Sequence, residues 1–191
     1  MNAYFWITGL IVCCFSCGTK ETLQTPNLHP YTNCLAGVDT TKGDEAIGCV
    51  GNYYKLIDQQ YVLKIDIADF LRKNSLSEYQ DSCFQIRIST DKVLSAGVFA
   101  ELQVFNKGES NLSSICTDII ITNTPKPQRI LTDVSGSIII QYNGEQDYYG
   151  SKRSVFTFFV ERLSFKDKVA QKEVVIKDQL LWKVIDLGMA G

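Results

Sequence analysis

Histidine is almost missing from this sequence: His29 is the one imidazole in 191 residues, and methionine occurs only twice. Ser-His-Asp and Cys-His chemistry both need an imidazole beside the nucleophile. His29 sits between Pro26 and Pro30 in a polar stretch, so base-activated hydrolysis of that kind is excluded. An excess of positive charge is missing too. Nineteen Lys and Arg against 21 Asp and Glu leave a net charge of −2, without the basic field that nucleic-acid binding requires. There is no Gly-rich phosphate loop, Walker sequence or paired-histidine zinc motif, and no cofactor is expected. No internal repeat and no low-complexity tract interrupts the chain, and 45% hydrophobic residues are too many for a disordered one.

Charge is absent altogether before Lys20. The apolar run from Ala3 to Phe15 is shorter than the ~20 residues that span a bilayer, but it matches the ~7–15 residues of a signal-peptide core. Directly after it stand Cys14-Phe15-Ser16-Cys17. This tetrapeptide resembles the lipobox of bacterial lipoproteins, with Ser16 and Cys17 matching the positions on either side of the cut. Cys14 and Phe15 stand where an aliphatic and a smaller residue are usual. The resemblance implies export, a signal peptide over 1–16, diacylglycerol and a further palmitate-like acyl chain on Cys17, and membrane attachment through that lipid. Each buried methylene contributes about 0.8 kcal/mol, so two or three chains hold a protein firmly. Gly18, rather than Asp, follows Cys17, which favours the outer membrane of the cell envelope over the inner one. Residues 17–33 then read as a flexible tether and 34–191 as a single domain.

Seven cysteines are present. Setting aside Cys13, Cys14 and the lipidated Cys17 leaves Cys34, Cys49, Cys83 and Cys116, an even number suited to an oxidising compartment. Their wide spacing lacks the close pairs of a zinc site, and disulfides are the expectation. The most local pairing, Cys34 with Cys49 and Cys83 with Cys116, closes the shorter loops; a loop of about 15 residues contributes ~3 kcal/mol on chain-entropy grounds.

From Val50 onward the dominant pattern is period two. Tyr61, Leu63, Ile65 and Ile67 share a face opposite Lys64 and Asp66; Phe84, Ile86 and Ile88 alternate with Gln85 and Arg87. Val98–Phe105 and Ile115–Thr122 are similar. Arg129–Tyr142 alternates throughout and runs into Asn143-Gly144, the strongest short hairpin signal, in a loop that extends to Arg153. Phe156, Phe158 and Val160 are followed by Leu163 and Phe165, a change of parity at Glu161-Arg162 that an inserted bulge residue produces. Val174–Ile176 and Leu180–Leu187 supply the last strand or two. Helix is confined to Ile67–Asn74. The fold class is therefore all-β: an antiparallel β-sandwich or barrel-like domain of about eight or nine strands with at most one short helix.

Candidate sites are few. Asp39, Asp44 and Glu45 form an acidic loop, but their spacing departs from a calcium loop and Lys42 interrupts it. They read as a solvated loop, with calcium the weaker alternative and no metal expected. Tyr148 and Tyr149, with Asp147, Lys152 and Arg153, place aromatics beside hydrogen-bonding charges. Tyr53 and Tyr54 are a second such pair. Aromatics so flanked stack on sugars or anchor a protein partner, while strand geometry sends one tyrosine of an adjacent pair inward. The function favoured is a non-catalytic binding or interaction module of the cell envelope, its partner an envelope protein or a glycan. The alternatives are a hydrolase of envelope or extracellular polymers working through converging carboxylates, and a structural or assembly subunit.

Overall fold

Alternating side chains need two covers, one for each apolar face, and the chain supplies them by stacking two antiparallel sheets. The computed structural model describes residues 30–39, 46–74, 76–90, 95–110, 112 and 125–186. Among these, five strands form one sheet in the order β1 (Ala46–Cys49), β2 (Asn52–Leu56), β3 (Tyr61–Asp66), β5 (Phe99–Val104) and β6 (Arg129–Leu131). Four longer strands form the other, in the order β4 (Cys83–Ser89), β7 (Val134–Tyr148), β8 (Ser151–Asp167) and β9 (Lys172–Ile185). Neighbours within both sheets pair antiparallel. The all-β, sandwich-like architecture is as the period-two pattern requires. Helix α1 (Ala68–Lys73) is the short helix expected after β3. The Asp66 carboxylate starts it by accepting the Ala68 N–H at 2.9 Å.

The core lies between the sheets. Leu63, Ile65 and Ile67 meet Phe84, Ile86, Ile88, Phe156, Phe158 and Phe165, all buried in one cluster. Gln85 and Arg87 are exposed, as the alternation predicts. A smaller cluster of Val62, Phe105 and Leu112 lies against the opposite side of β3, with Tyr54 and Leu56 packed on it.

The expected bulge in β8 is present. Ser137 pairs with Arg162 and Ile138 with Val160, which leaves Glu161 as the extra residue. Its carboxylate accepts hydrogen bonds from Ser137 Oγ at 2.6 Å and Gln85 Nε2 at 3.0 Å, so the adjacent β7 and, one strand further out, β4 fix the bulge. Beside it Gly136 has φ +147°, and a Cβ there would overlap the Arg162 carbonyl oxygen.

Three sequence expectations are corrected. Arg129–Tyr142 is not one strand: β6 and β7 belong to different sheets, joined by a corner at Thr132-Asp133. Leu131 faces the core before the corner and Val134 after it, while Ile130, expected inward, is 50% exposed. The core-facing parity thus changes at the corner, from Leu131 to Val134, and the apolar but outward Ile130 makes the alternation look unbroken across the bend. Asn143-Gly144 is likewise not the hairpin turn. It is a register shift inside β7, where Asn143 Nδ2 donates to Thr157 Oγ1 at 2.7 Å and Gly144 takes φ +87°. The positive φ these residues favour serves a bulge, and pairing continues to Tyr148–Ser151. Finally, Cys34 bonds to Cys83, with Cα atoms 6.1 Å apart, which overturns the local pairing. Tyr31, placed in the tether by the sequence, explains this: it exchanges backbone hydrogen bonds with Cys83 at 3.1 and 2.8 Å and lays the chain along β4. The bridge spans 49 residues and contributes about 4 kcal/mol on chain-entropy grounds. Cys49 is also disulfide-bonded; Cys116, Cys17 and the strand expected at Ile115–Thr122 lie outside the described residues.

Gly136 and Gly150 make a matched test of the bulge. Gly150 also has a positive φ, +76°, but its missing Cβ would meet nothing within 4 Å. Gly150→Ala should cost about 1–2 kcal/mol from backbone strain alone. Gly136→Ala adds overlap with the Arg162 backbone and should cost about 3 kcal/mol or more. Denaturant midpoints at unchanged m value check the order.

Candidate functional site

The tyrosine pairs separate as adjacent strand residues must. Tyr53 points into the core at 2% exposure, its ring 4.7 Å from Phe158 and 5.7 Å from Phe156. Tyr54 lies half-buried on the outer face of the five-stranded sheet, with the Lys64 ammonium 6.0 Å from its ring centre. Burial raises the Tyr54 pKa, helped by the negative Glu101 and Asp66 nearby.

Tyr148 and Tyr149 stand at the tip of the β7–β8 ribbon. Beyond Tyr142 the ribbon continues for six residues to Tyr148, about 20 Å at strand rise. Its side chains from Glu145 to Lys152 are exposed apart from the half-buried Tyr148. The turn is Tyr149-Gly150, with φ +50° and +76°, the two-residue geometry that matches strand twist. Asp147 Oδ1 accepts the Gly150 N–H at 3.0 Å and ties the turn shut. The two tyrosine rings meet edge-on at 4.6 Å, and Tyr149 is 92% exposed. Lys152 faces Asp147 across the ribbon, with its ammonium 3.9 Å from Glu145. A first turn position with φ > 0 suits Asn, Asp or Gly. Here an aromatic occupies it, with its ring in solvent.

Along the flank of the projecting half, Lys152 and Arg153 border a cleft of about 390 Å³ shared with Val50, Gly51, Asp186 and, from α1, Ala68 and Leu71. Asp186, which the sequence reading did not single out, organises this corner. Its carboxylate accepts the Val50 and Gly51 N–H groups at 2.9 and 3.1 Å and the Tyr53 hydroxyl at 3.1 Å. Val50 and Gly51 form a turn with φ +51° and +75°, which aims both N–H groups at one point. Asp186 also makes a parallel bridge to Gly48, so the end of β9 is stitched to β1 across the seam between the sheets. The structure therefore brings Tyr53, Lys152 and Arg153 to one corner, and leaves Tyr54 on another face and Tyr148 and Tyr149 at the tip. An Asp at the end of the last alternating run was the available signal for Asp186, but sequence does not show that it reaches a turn 135 positions away.

Of the acidic loop, Asp39 is exposed and Asp44 and Glu45 lie outside the described residues. Among the described residues no three His, Cys, Asp or Glu side chains converge in a way that holds a metal ion, and no helix is long and apolar enough to cross a membrane. Compared with protein-family models, with curated proteins and with solved structures, the chain matches none.

The Tyr53 hydroxyl is held well above its ordinary pKa of 10, first by burial and then by the Asp186 carboxylate that it faces. A pKa raised on folding gives stability that is complete below the unfolded phenol value and is lost as pH rises towards the folded one. Tyr53→Phe should cost about 1.5–3 kcal/mol at neutral pH, the range for a hydrogen bond to a charged acceptor. It should also flatten the alkaline limb above pH ~10, where the wild-type phenol is forced to ionise. Denaturation midpoints between neutral and alkaline pH check both effects.

Proposed function

We propose that this chain is an exported, lipid-anchored envelope protein that acts as a non-catalytic interaction module, with the tip of the β7–β8 ribbon as its contact element. Cys17 carries the lipid, and the outer membrane is the favoured location. The observation that carries the reading is Tyr149: an aromatic side chain 92% exposed, on a left-handed backbone position, at the end of a ribbon that contributes little to the core. An isolated two-stranded ribbon is marginal in water, and a left-handed L-residue costs roughly 1–2 kcal/mol. Asn or Gly at position 149 would serve the fold better, so the aromatic serves something outside it. Rigid tyrosines bring large contact area at low entropy cost, and the balanced charges of Glu145, Asp147, Lys152 and Arg153 supply a polar rim.

The acids that are best placed in the structure support a non-catalytic reading. Asp186, Glu161 and Asp167 each accept hydrogen bonds that hold strands, a bulge or a turn in place. The experiment is a benzoylphenylalanine photocrosslinker at position 149 in the full-length protein expressed with its signal, compared with one at Val169, another exposed apolar residue, at the β8–β9 turn (75% exposed). Intact mass of the mature protein is read in parallel. The reading requires a mass that begins at Cys17 with two or three acyl chains, and discrete crosslinked adducts from position 149 but not from 169. An unacylated mass removes the anchor, and equal or absent adducts remove the tip. Tyr149→Asn should leave stability unchanged or raise it by up to about 1 kcal/mol, and it should abolish the adducts formed by a photocrosslinker at the neighbouring exposed Ser151.

A further inference from the structure

The outer face of the five-stranded sheet carries a second site, independent of the ribbon tip. A cleft of about 720 Å³ opens beside β3 and β5, walled at one end by the β6–β7 corner and the β8–β9 turn. That volume lies in the usual range for small-molecule sites, ~300–1,000 Å³. Register builds its floor: Lys64 pairs with Glu101 and Asp66 with Phe99 across β3 and β5, so all four side chains leave the sheet on the same side. The Lys64 ammonium lies 3.7 Å from Glu101 Oε1, which also accepts Gln103 Nε2 at 3.1 Å. On the wall, Lys168 lies 3.1 Å from Asp133.

We propose that this cleft binds a short saccharide. Three alternatives fit less well. An apolar ligand would meet a lining of charges and hydroxyls. A phosphate group would find two ammoniums, each already facing a carboxylate, and no Arg on the lining. A divalent cation would need several converging carboxylates, and among the described residues no three His, Cys, Asp or Glu side chains form a group that could hold a metal ion. A sugar presents adjacent hydroxyls, each of them donor and acceptor, together with a C–H face. Lys64–Glu101 and Lys168–Asp133, with N···O distances of 3.7 and 3.1 Å, are two donor–acceptor couples on the lining for adjacent hydroxyls to bridge, and Phe99 adds an aromatic ring to the floor. The Ser89, Thr90 and Thr132 hydroxyls add further neutral partners.

The test is calorimetric titration of the mature protein with maltose, cellobiose, lactose, chitobiose and mannobiose, beside inorganic phosphate and the dipeptide Ala-Ala. At least one disaccharide should bind saturably below about 10 mM. Glu101→Gln and Phe99→Ala should each weaken it about tenfold or more, the loss expected when one charge-assisted hydrogen bond or one stacked ring is removed. Lys168→Ala should weaken it too without changing the thermal midpoint, because that side chain is 80% exposed and its loss does not touch the core. Three results overturn the proposal: no saccharide binding, binding indifferent to all three substitutions, or saturable binding of phosphate or the dipeptide alone.

Discussion

The pairing of β7 with β8 is the constraint on which the other features depend. It runs from Val134–Phe165 to Tyr148–Ser151 and shifts register twice, at Ser137/Ile138 and at Tyr142/Glu145. The first shift, at Glu161, changes which face Leu163 and Phe165 present and keeps both in the core on the far side of the bulge. The second ends the buried half and begins the projecting one. A one-residue error at either point would turn a whole row of phenylalanines to solvent, so the glycine at 136 and the hydrogen bonds to Glu161 specify the fold as well as stabilise it.

Carboxylates do much of the remaining structural work, and they do it at strand ends. Asp186 closes the seam between the sheets by accepting from the Val50-Gly51 turn and from Tyr53. Asp167 closes the β8–β9 turn. Its Oδ1 accepts the Ala170 and Val169 N–H groups at 2.9 and 3.1 Å, and Arg129 lies 3.0 Å from Oδ2. The Ala170 N–H contributes most to holding the Asp167 pKa below 3.8, with Arg129, Val169 and Lys172 adding to it against the cost of burial. The sheets are thus held by their interior and pinned at their corners. The ribbon tip and the cleft beside Lys64 and Glu101 lie apart from these corner contacts.

Much of this was legible in the sequence. Period-two runs found β3, β4, β5, the first half of β7, the middle of β8 and most of β9, because a half-buried strand must alternate. The parity change at Glu161-Arg162 found the bulge, because only an added residue shifts a strand's face while keeping it paired. The corner at Thr132-Asp133 was hidden: Ile130, Thr132 and Val134 read as one continuous alternating face, although Leu131, not Ile130, faces the core. Asn143-Gly144 misled because the left-handed backbone it favours suits a bulge as well as a turn. The Cys34–Cys83 pairing depends on Tyr31 lying beside β4, a contact between residues 52 positions apart that no local pattern encodes. The cleft was invisible for the same reason. Lys64, Glu101, Asp133 and Lys168 come from four separate segments, and only cross-strand register brings them to one place. Tyr148 and Tyr149 were found as candidates, yet their position at the tip followed from the turn that the sequence placed six residues too early.

The central claim is that one continuous ribbon is divided at Asn143-Gly144 into a half that makes the core and a half that projects to meet a partner. Hydrogen–deuterium exchange of the mature protein, resolved by peptide, measures this directly. The account predicts slow exchange for Ile138–Tyr142 and Phe156–Val160, fast exchange for Glu145–Lys152, and a step between them at residues 143–144. Uniform slow exchange out to the Tyr149-Gly150 turn would mean that the projecting half is packed against something else in the protein. Fast exchange in Ile138–Tyr142 would mean that the register described here is not the one that holds the core together.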